Sequence, residues 1–320
     1  MSVDSQAPND QTRPLAVHSL NHFALAVPDL QIAQAFYTNF GLKAQAEGDV
    51  LVLKAANGLT VARMYEGPRK RLHHLSFAIE AADLDPFVAR LKGQGVEIEK
   101  PIAGAYADGV WFRDPDGNLF EAAVAPRSMP TDKSYRGQSV RGAGARTAEE
   151  VRNDALSRGV QPLRLGHCLL FSTDVDRSVR FYENTLGLRL SDKSGDIVAF
   201  MHAPHGCDHH ILAFARSHRP AFHHASFEVE DVDRIGMGAE HMVHKGYERG
   251  WGFGRHMAGS NYFYYAGDPW GSFAEYFCDM DYIPAGRPWQ AQDLPPELSL
   301  HLWGPRVPDY FLHNAEADHD

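Results

Sequence analysis

His167, His224 and Glu275 lie 57 and 51 residues apart along the chain, and His22, His74 and Glu121 repeat the same order of residue types 52 and 47 apart. Two imidazoles and one carboxylate are donors for a divalent transition ion. Grouped on one side of that ion they form the facial triad typical of non-haem iron(II), which leaves adjacent coordination positions open. Two further molecules can then bind side by side. The 18 histidines of this mildly acidic protein supply both metal ligands and proton carriers near neutral pH. Spacing alone is weak support, because a lone strand histidine is more often packed or solvated than coordinated. The surrounding elements must therefore bring these residues together.

Those elements recur. HFALAV (22–27) and HCLLFS (167–172) each read as a strand opening on His, followed by Asp29 or Asp174 near a helix start. FYTNFGL (36–42) matches FYENTLGL (181–188), which predicts an amphipathic helix ending at Gly41 or Gly187. RLHHLSFAIE (71–80) matches AFHHASFEVE (221–230), and DPDGNLFE (114–121) matches DPWGSFAE (268–275). The last pair joins an Asp-Pro turn to a strand that carries Glu. Side chains alternate faces along a strand, so His224, Ser226 and Glu228 share one face while Ala225, Phe227 and Val229 share the other. The doubled histidines at 209–210 and 223–224 leave a choice open. Neighbours point opposite ways, so only one of each pair is expected to enter a common cup.

The pattern predicts an α+β fold of tandem β-α-β-β-β modules, each roughly fifty residues long and used about four times. Two modules would make each half an open, cup-shaped barrel. The expected organisation is a first domain at 15–125, an interdomain connection at 126–161, a second domain at 162–282 and an irregular tail at 283–320. Within the connection, Thr147 and Glu150 form a capping box for one short helix. The tail has six prolines from Pro284 to Pro308 and the aromatics Trp289, Trp303, Tyr310 and Phe311. It is expected to wrap a surface, either as ordinary packing or as a partial lid.

Composition narrows the function. With 44% hydrophobic residues the chain can bury a substantial core, and a net charge of −10 without a long basic run argues against a nucleic-acid partner. Cys168, Cys207 and Cys278 form neither a disulfide framework nor a C-x-x-C site, which fits a reducing cytoplasm. Neither a leader peptide nor a membrane span is expected from the apolar pattern.

GHCLLF, DHHILAF, FHHASFEV, GRHMAGSNYFYY and DPWGSFAEYF, taken in order, resemble successive signatures of the type I extradiol ring-cleaving dioxygenases of the vicinal oxygen chelate superfamily. The resemblance spans most of the chain and is fuller in the second half. It implies iron(II), occasionally manganese(II), held by His167, His224 and Glu275, and it favours His224 over His223 and His210 over His209. It further implies that His210, His256 and Tyr265 are the acid–base and orienting groups. An imidazole with a pKa near about 6.5 can take a phenolic proton and return it later, and a tyrosine hydroxyl can donate to a bound substrate oxygen. The implied reaction is cleavage of a catechol or substituted catechol by O2 beside its two hydroxyls, giving a yellow semialdehyde or keto acid.

A divalent ion with one glutamate carries one positive charge, which a singly deprotonated catecholate cancels. A homo-oligomer is expected. In the first half, Trp111 stands ten residues before Glu121, where Tyr265 precedes Glu275, and Ile102 stands where His256 would be. His22, His74 and Glu121 are therefore read as an inactive relic or a structural element, although retention of all three types departs from the family pattern. Leu169 lies near the metal where some relatives are polar, and Arg249 and Arg255 are either a weak carboxylate clamp or surface charges. Two rivals remain: a glyoxalase-like lyase or epimerase on the same fold, and a non-enzymatic small-molecule-binding module.

Overall fold

A computed structural model describes residues 13–106, 108–130 and 160–319. The helix expected around Thr147 and Glu150 lies outside the described residues. Four β-α-β-β-β modules follow one another. The first runs through β1 (Ser19–Val27), α1 (Leu30–Asn39), β2 (Lys43–Glu47), β3 (Val50–Lys54) and β4 (Thr60–Glu66). The second comprises β5 (Arg71–Ile79), α2 (Leu84–Gly93), β6 (Ile98–Glu99), β7 (Gly109–Arg113) and β8 (Leu119–Val124). The third has β9 (Arg164–Ser172), α3 (Val175–Leu186), β10 (Arg189–Ser194), β11 (Val198–His202), the short β12 (Cys207–Asp208) and β13 (Leu212–Arg216). The fourth comprises β14 (Ala221–Glu228), α4 (Val232–His244), β15 (Gly250–Arg255), β16 (Tyr262–Gly267) and β17 (Phe273–Cys278). Two short strands, β18 (Tyr282–Ile283) and β19 (Gln292–Asp293), belong to the tail.

The crossover helices start where the sequence places them. The Asp29 carboxylate accepts from the Gln31 and Ile32 amides at 2.7 and 3.0 Å, and Asp174 accepts from the Arg177 amide at 2.9 Å. Such a cap contributes about 1 kcal/mol. Helix α3 stops at Gly187, whose φ of 70° is open to glycine and strained for most other residues.

Each half contributes one open sheet. The first has the order β2-β3-β4-β1-β5-β8-β7-β6 and the second β15-β16-β17-β14-β9-β13-β11-β10-β19. In both, the modules meet where their first strands pair antiparallel, β1 with β5 and β9 with β14. That pairing sets the strands carrying the triad residues side by side: β1, β5 and β8 in one sheet, β9, β14 and β17 in the other. The opposite side of the strands feeds one core shared by both halves. Phe40 stacks on Tyr276 at 3.9 Å between ring centroids, Phe23 on Phe222 at 5.3 Å, and the Tyr276 hydroxyl donates to the Phe40 carbonyl. Burying each such ring stabilises by roughly 1.5–3 kcal/mol, so the shared core ties the halves together behind the two triads.

Candidate metal centre

Cross-strand register builds the site. His167, Ser226, Glu275 and Tyr265 occupy one row across β9, β14, β17 and β16, since Ser226 pairs with both His167 and Glu275, and Glu275 pairs with Tyr265. Partners in register project to one face of a sheet. His224, two residues before Ser226, shares that face. Donor atoms of His167, His224 and Glu275 consequently all lie within 4.8 Å of one another, and all three residues are buried. Glu275 Oε2 is 3.2 Å from His167 Nε2 and 3.7 Å from His224 Nε2.

The electrostatics fit a cation at their centre. Burial alone would raise the Glu275 carboxyl, but the ring of imidazoles around it, His167 first, holds it well below the usual carboxylate range. Burial, followed by the charge of His223, pushes His224 well below 6.5, so its imidazole is neutral. His224 Nε2 and Glu275 Oε2 are buried without a hydrogen-bond partner among the described residues. A buried lone pair left so is costly, and a divalent ion satisfies both. The donor set fits a first-row transition ion with open positions.

The remaining implied residues converge on the same centre. The His210 ring lies 4.2 Å from that of His167, and burial first, then His167, keeps His210 far below its ordinary pKa and unprotonated. His256 Nε2 is 2.9 Å from the Tyr265 hydroxyl and 3.6 Å from Glu275 Oε1. The other ring nitrogen of His256 faces the Leu300 carbonyl, so Nδ1 carries the proton and Nε2 accepts from Tyr265. Burial and the nearby Glu275 push Tyr265 well above 10, which keeps its hydroxyl a donor. His210, His256 and Tyr265 all line a cavity of about 280 Å³ together with His167 and His224.

Two features were not anticipated, and a third bears on a choice the sequence left open. Both His223 and His224 line the cavity, which corrects the expectation that only one member of the pair would enter it. The cause is a bulge: β14 slips register against β9 between Phe222 and His224, so the alternation of faces breaks there. His223 Nδ1 lies 2.7 Å from His224 Nδ1, and His223 Nε2 lies 2.7 Å from the Phe311 carbonyl. A proton on His223 Nε2 therefore fixes His224 with hydrogen on Nδ1 and a lone pair on Nε2, the atom nearest Glu275.

Second, the 209–210 pair divides as expected, but His209 is not idle. Its Nε2 is 2.9 Å from Asp192 Oδ2 and its Nδ1 3.1 Å from His210 Nδ1. That relay leaves the free lone pair of His210 on Nε2. The doubled histidines were the sequence signal for both relays. Third, Ser299, Leu300, Phe311 and Leu312 of the tail line the cavity while Phe311 packs with Trp251, Phe263, Tyr265 and Phe273, so the tail both packs on the sheet and forms a partial lid. The lid is tied down by Glu316, which pairs at 2.5 Å with Lys70 of the first half, while Lys70 Nζ also donates to the Phe222 carbonyl at 2.9 Å.

The cavity wall is otherwise apolar, with Leu169, Val198, Phe200 and Ala213 among its residues. Neither arginine singled out in the sequence faces it: Arg255 donates to Tyr262 and pairs with Asp279, and Arg249 lies over the Tyr310 ring. Arg216 reaches the rim but is exposed and paired with Asp196.

Comparison with known proteins agrees with this construction. Residues 19–122 and 164–276 match the Glyoxalase/Bleomycin resistance protein/Dioxygenase superfamily. The chain is 46% identical over 317 residues to metapyrocatechase 2 of Cupriavidus necator, covering 99% of this chain and 98% of that protein. It is 24% identical to an iron-dependent extradiol dioxygenase of Rhodococcus jostii, covering 91% of this chain and 97% of that one. Among solved structures, the Mn(II)-bound glyoxalase from Novosphingobium aromaticivorans superposes with a TM-score of 0.75 at 23% identity, covering 93% and 95% of the two chains. With both halves matched and a full-length relative this similar, the chain belongs to the glyoxalase/bleomycin resistance protein/dioxygenase superfamily, among its metapyrocatechase-like extradiol dioxygenases.

Proposed function

We propose that this protein is an iron(II)-dependent extradiol dioxygenase that opens the ring of catechol, or of a catechol with small apolar substituents, using O2. The observation that carries this reading is the convergence of His167, His224 and Glu275 with His210, His256 and Tyr265 around one apolar cavity. Iron(II) held by the triad would supply both electrophilic activation of the diol and the electrons that activate O2.

The side chains divide the remaining work. Unprotonated His210, oriented through His209 and Asp192, is placed to hold and return the proton of a substrate hydroxyl. Tyr265, donating to His256 at rest, can turn its hydrogen bond to a substrate oxygen, and His256 can then hold the second proton. Leu169, Phe200 and Ala213 offer an apolar bed for the ring and no cation for a carboxylate. A cavity of about 150 Å³ suffices for benzene, so about 280 Å³ holds one ring with O2 beside it. The tail residues Leu300 and Phe311 exclude bulk water from that space. The first half takes no part in ring cleavage, because Trp111 replaces the tyrosine and no imidazole stands at Ile102.

The test is anaerobic loading with iron(II), followed by catechol in air on an oxygen electrode. One O2 consumed per catechol, with a yellow product, is expected. A fully iron-loaded protein that binds catechol but consumes no O2 would overturn the reading.

A further inference from the structure

The first half repeats the triad in three dimensions as well as in sequence. His22, Ser76, Glu121 and Trp111 form one row across β1, β5, β8 and β7, and His74 lies two residues before Ser76. The donor atoms of His22, His74 and Glu121 lie within 4.8 Å of one another, and all three residues are buried. His22 Nε2 and His74 Nε2 are 3.0 Å apart. With metal–nitrogen bonds of about 2.1 Å, that separation places the two nitrogens roughly 90° apart at a shared ion, the angle of neighbouring ligands in an octahedron.

The outer contacts are also those of a ligand set. Ser76 donates to Glu121 at 2.6 Å, and Asn21 donates to Ser76 at 3.0 Å, which orients the carboxylate. His73 Nδ1 lies 2.8 Å from His74 Nδ1, the counterpart of the His223–His224 contact in the second half. Without an ion, His22 and His74 share one hydrogen bond and Glu121 accepts from Ser76; an ion at their centre would take the lone pairs of all three.

The walls of the two cups differ systematically. In the second sheet the row beside His224 runs through Leu169, Ala213 and Phe200. The matching row beside His74 runs through Ala24, Arg63 and Val52. Two residues on, Tyr65 stands where the second sheet has Ala215. An apolar bed is thus replaced by a guanidinium and a phenol. A divalent ion with Glu121 and Arg63 carries two net positive charges in a half-buried space, which is unfavourable unless an anion joins them.

We propose that His22, His74 and Glu121 bind a second divalent transition-metal ion, which carries a small anionic oxygen ligand on the side lined by Arg63. The site would hold an oxyanion rather than an aromatic diol and would be silent in ring cleavage.

The experiment counts metal in the full-length protein. Apoprotein is loaded anaerobically with Mn(II), with and without inorganic phosphate, freed of loose metal by gel filtration, and assayed by plasma mass spectrometry and electron paramagnetic resonance. Two ions per chain with phosphate, falling toward one without it, are expected. Glu121→Gln, which preserves volume, and His74→Ala should each hold one ion, and after iron loading each should still consume O2 with catechol. Arg63→Ala should hold two ions with no dependence on phosphate. One ion per chain in the wild-type protein with phosphate overturns the second site, and so does a count of two in both Glu121→Gln and His74→Ala. Two ions in the wild-type protein regardless of phosphate overturns the anion. The wild-type count stands even if a variant fails to fold, and it is independent of whether catechol is the substrate.

Discussion

Row for row, the two sheets set His22, Ser76, Glu121 and Trp111 against His167, Ser226, Glu275 and Tyr265. The ring of the fourth residue sits about equally far from the second histidine in each, 5.0 Å for Trp111 and His74 and 5.1 Å for Tyr265 and His224. Yet of the two only Tyr265 has a hydroxyl to donate, His256 stands beside it with no equivalent at Ile102, and among the described residues only the second half has a tail folded over its cavity. Three ligands make a metal site. The reaction needs the groups that surround them, and those come from a neighbouring strand, a loop and a distant segment. A duplicated frame can therefore keep its ligands while its chemistry diverges through the wall residues.

The largest effect that would break this contrast is His224→Ala, which should remove the catalytic ion and abolish O2 uptake, while the equivalent His74→Ala leaves turnover within about twofold if proton handling and the catalytic ion are untouched. Iron content and O2 uptake of the two variants, compared side by side, check this; equal losses in both would dissolve the distinction between the halves. His210→Ala comes next. It should retain iron yet slow kcat by about 10²-fold or more, as expected when a positioned proton carrier is removed. Single-turnover kinetics on iron-quantified protein would show it.

Tyr265→Phe should lower kcat by about 10-fold or more with iron retained, in line with the loss of one donor at a developing charge. The reciprocal Trp111→Tyr should confer no ring cleavage on a His224→Ala background, because Ile102 and Arg63 remain; any O2 consumption there would show that the hydroxyl alone separates the halves. The smallest effect on chemistry is expected from Glu316→Gln. Loss of the carboxylate leaves Lys70 buried beside Phe222, a change that costs about 3 kcal/mol. It should lower the thermal midpoint and raise the KM for catechol more than it changes kcat, as measured by calorimetry and initial rates.

Much of this was legible in the sequence because the governing periods are short. Asp29 and Asp174 cap helices by contacts within three residues, and strand alternation puts His224 and Ser226 on one face from local geometry alone. The repeat then equated the strands of the two halves and marked out the candidate ligands, while the choice of His224 over His223 came from the family resemblance. The His223–His224 pair marks where this reasoning stops. A bulge depends on how two strands register, and that is a property of the pair rather than of either segment.

By itself, the order of residues determined the four modules, the two triads and the residue types able to move protons, because each rests on local periodicity or on comparison of one half with the other. Only the tertiary structure decided that the tail lines the cavity through Leu300 and Phe311, that Lys70 reaches across to Glu316, and that Arg63 replaces Ala213 beside the first triad. Each of these joins residues far apart in the chain. Burial and shared packing, which no local pattern encodes, make such contacts favourable.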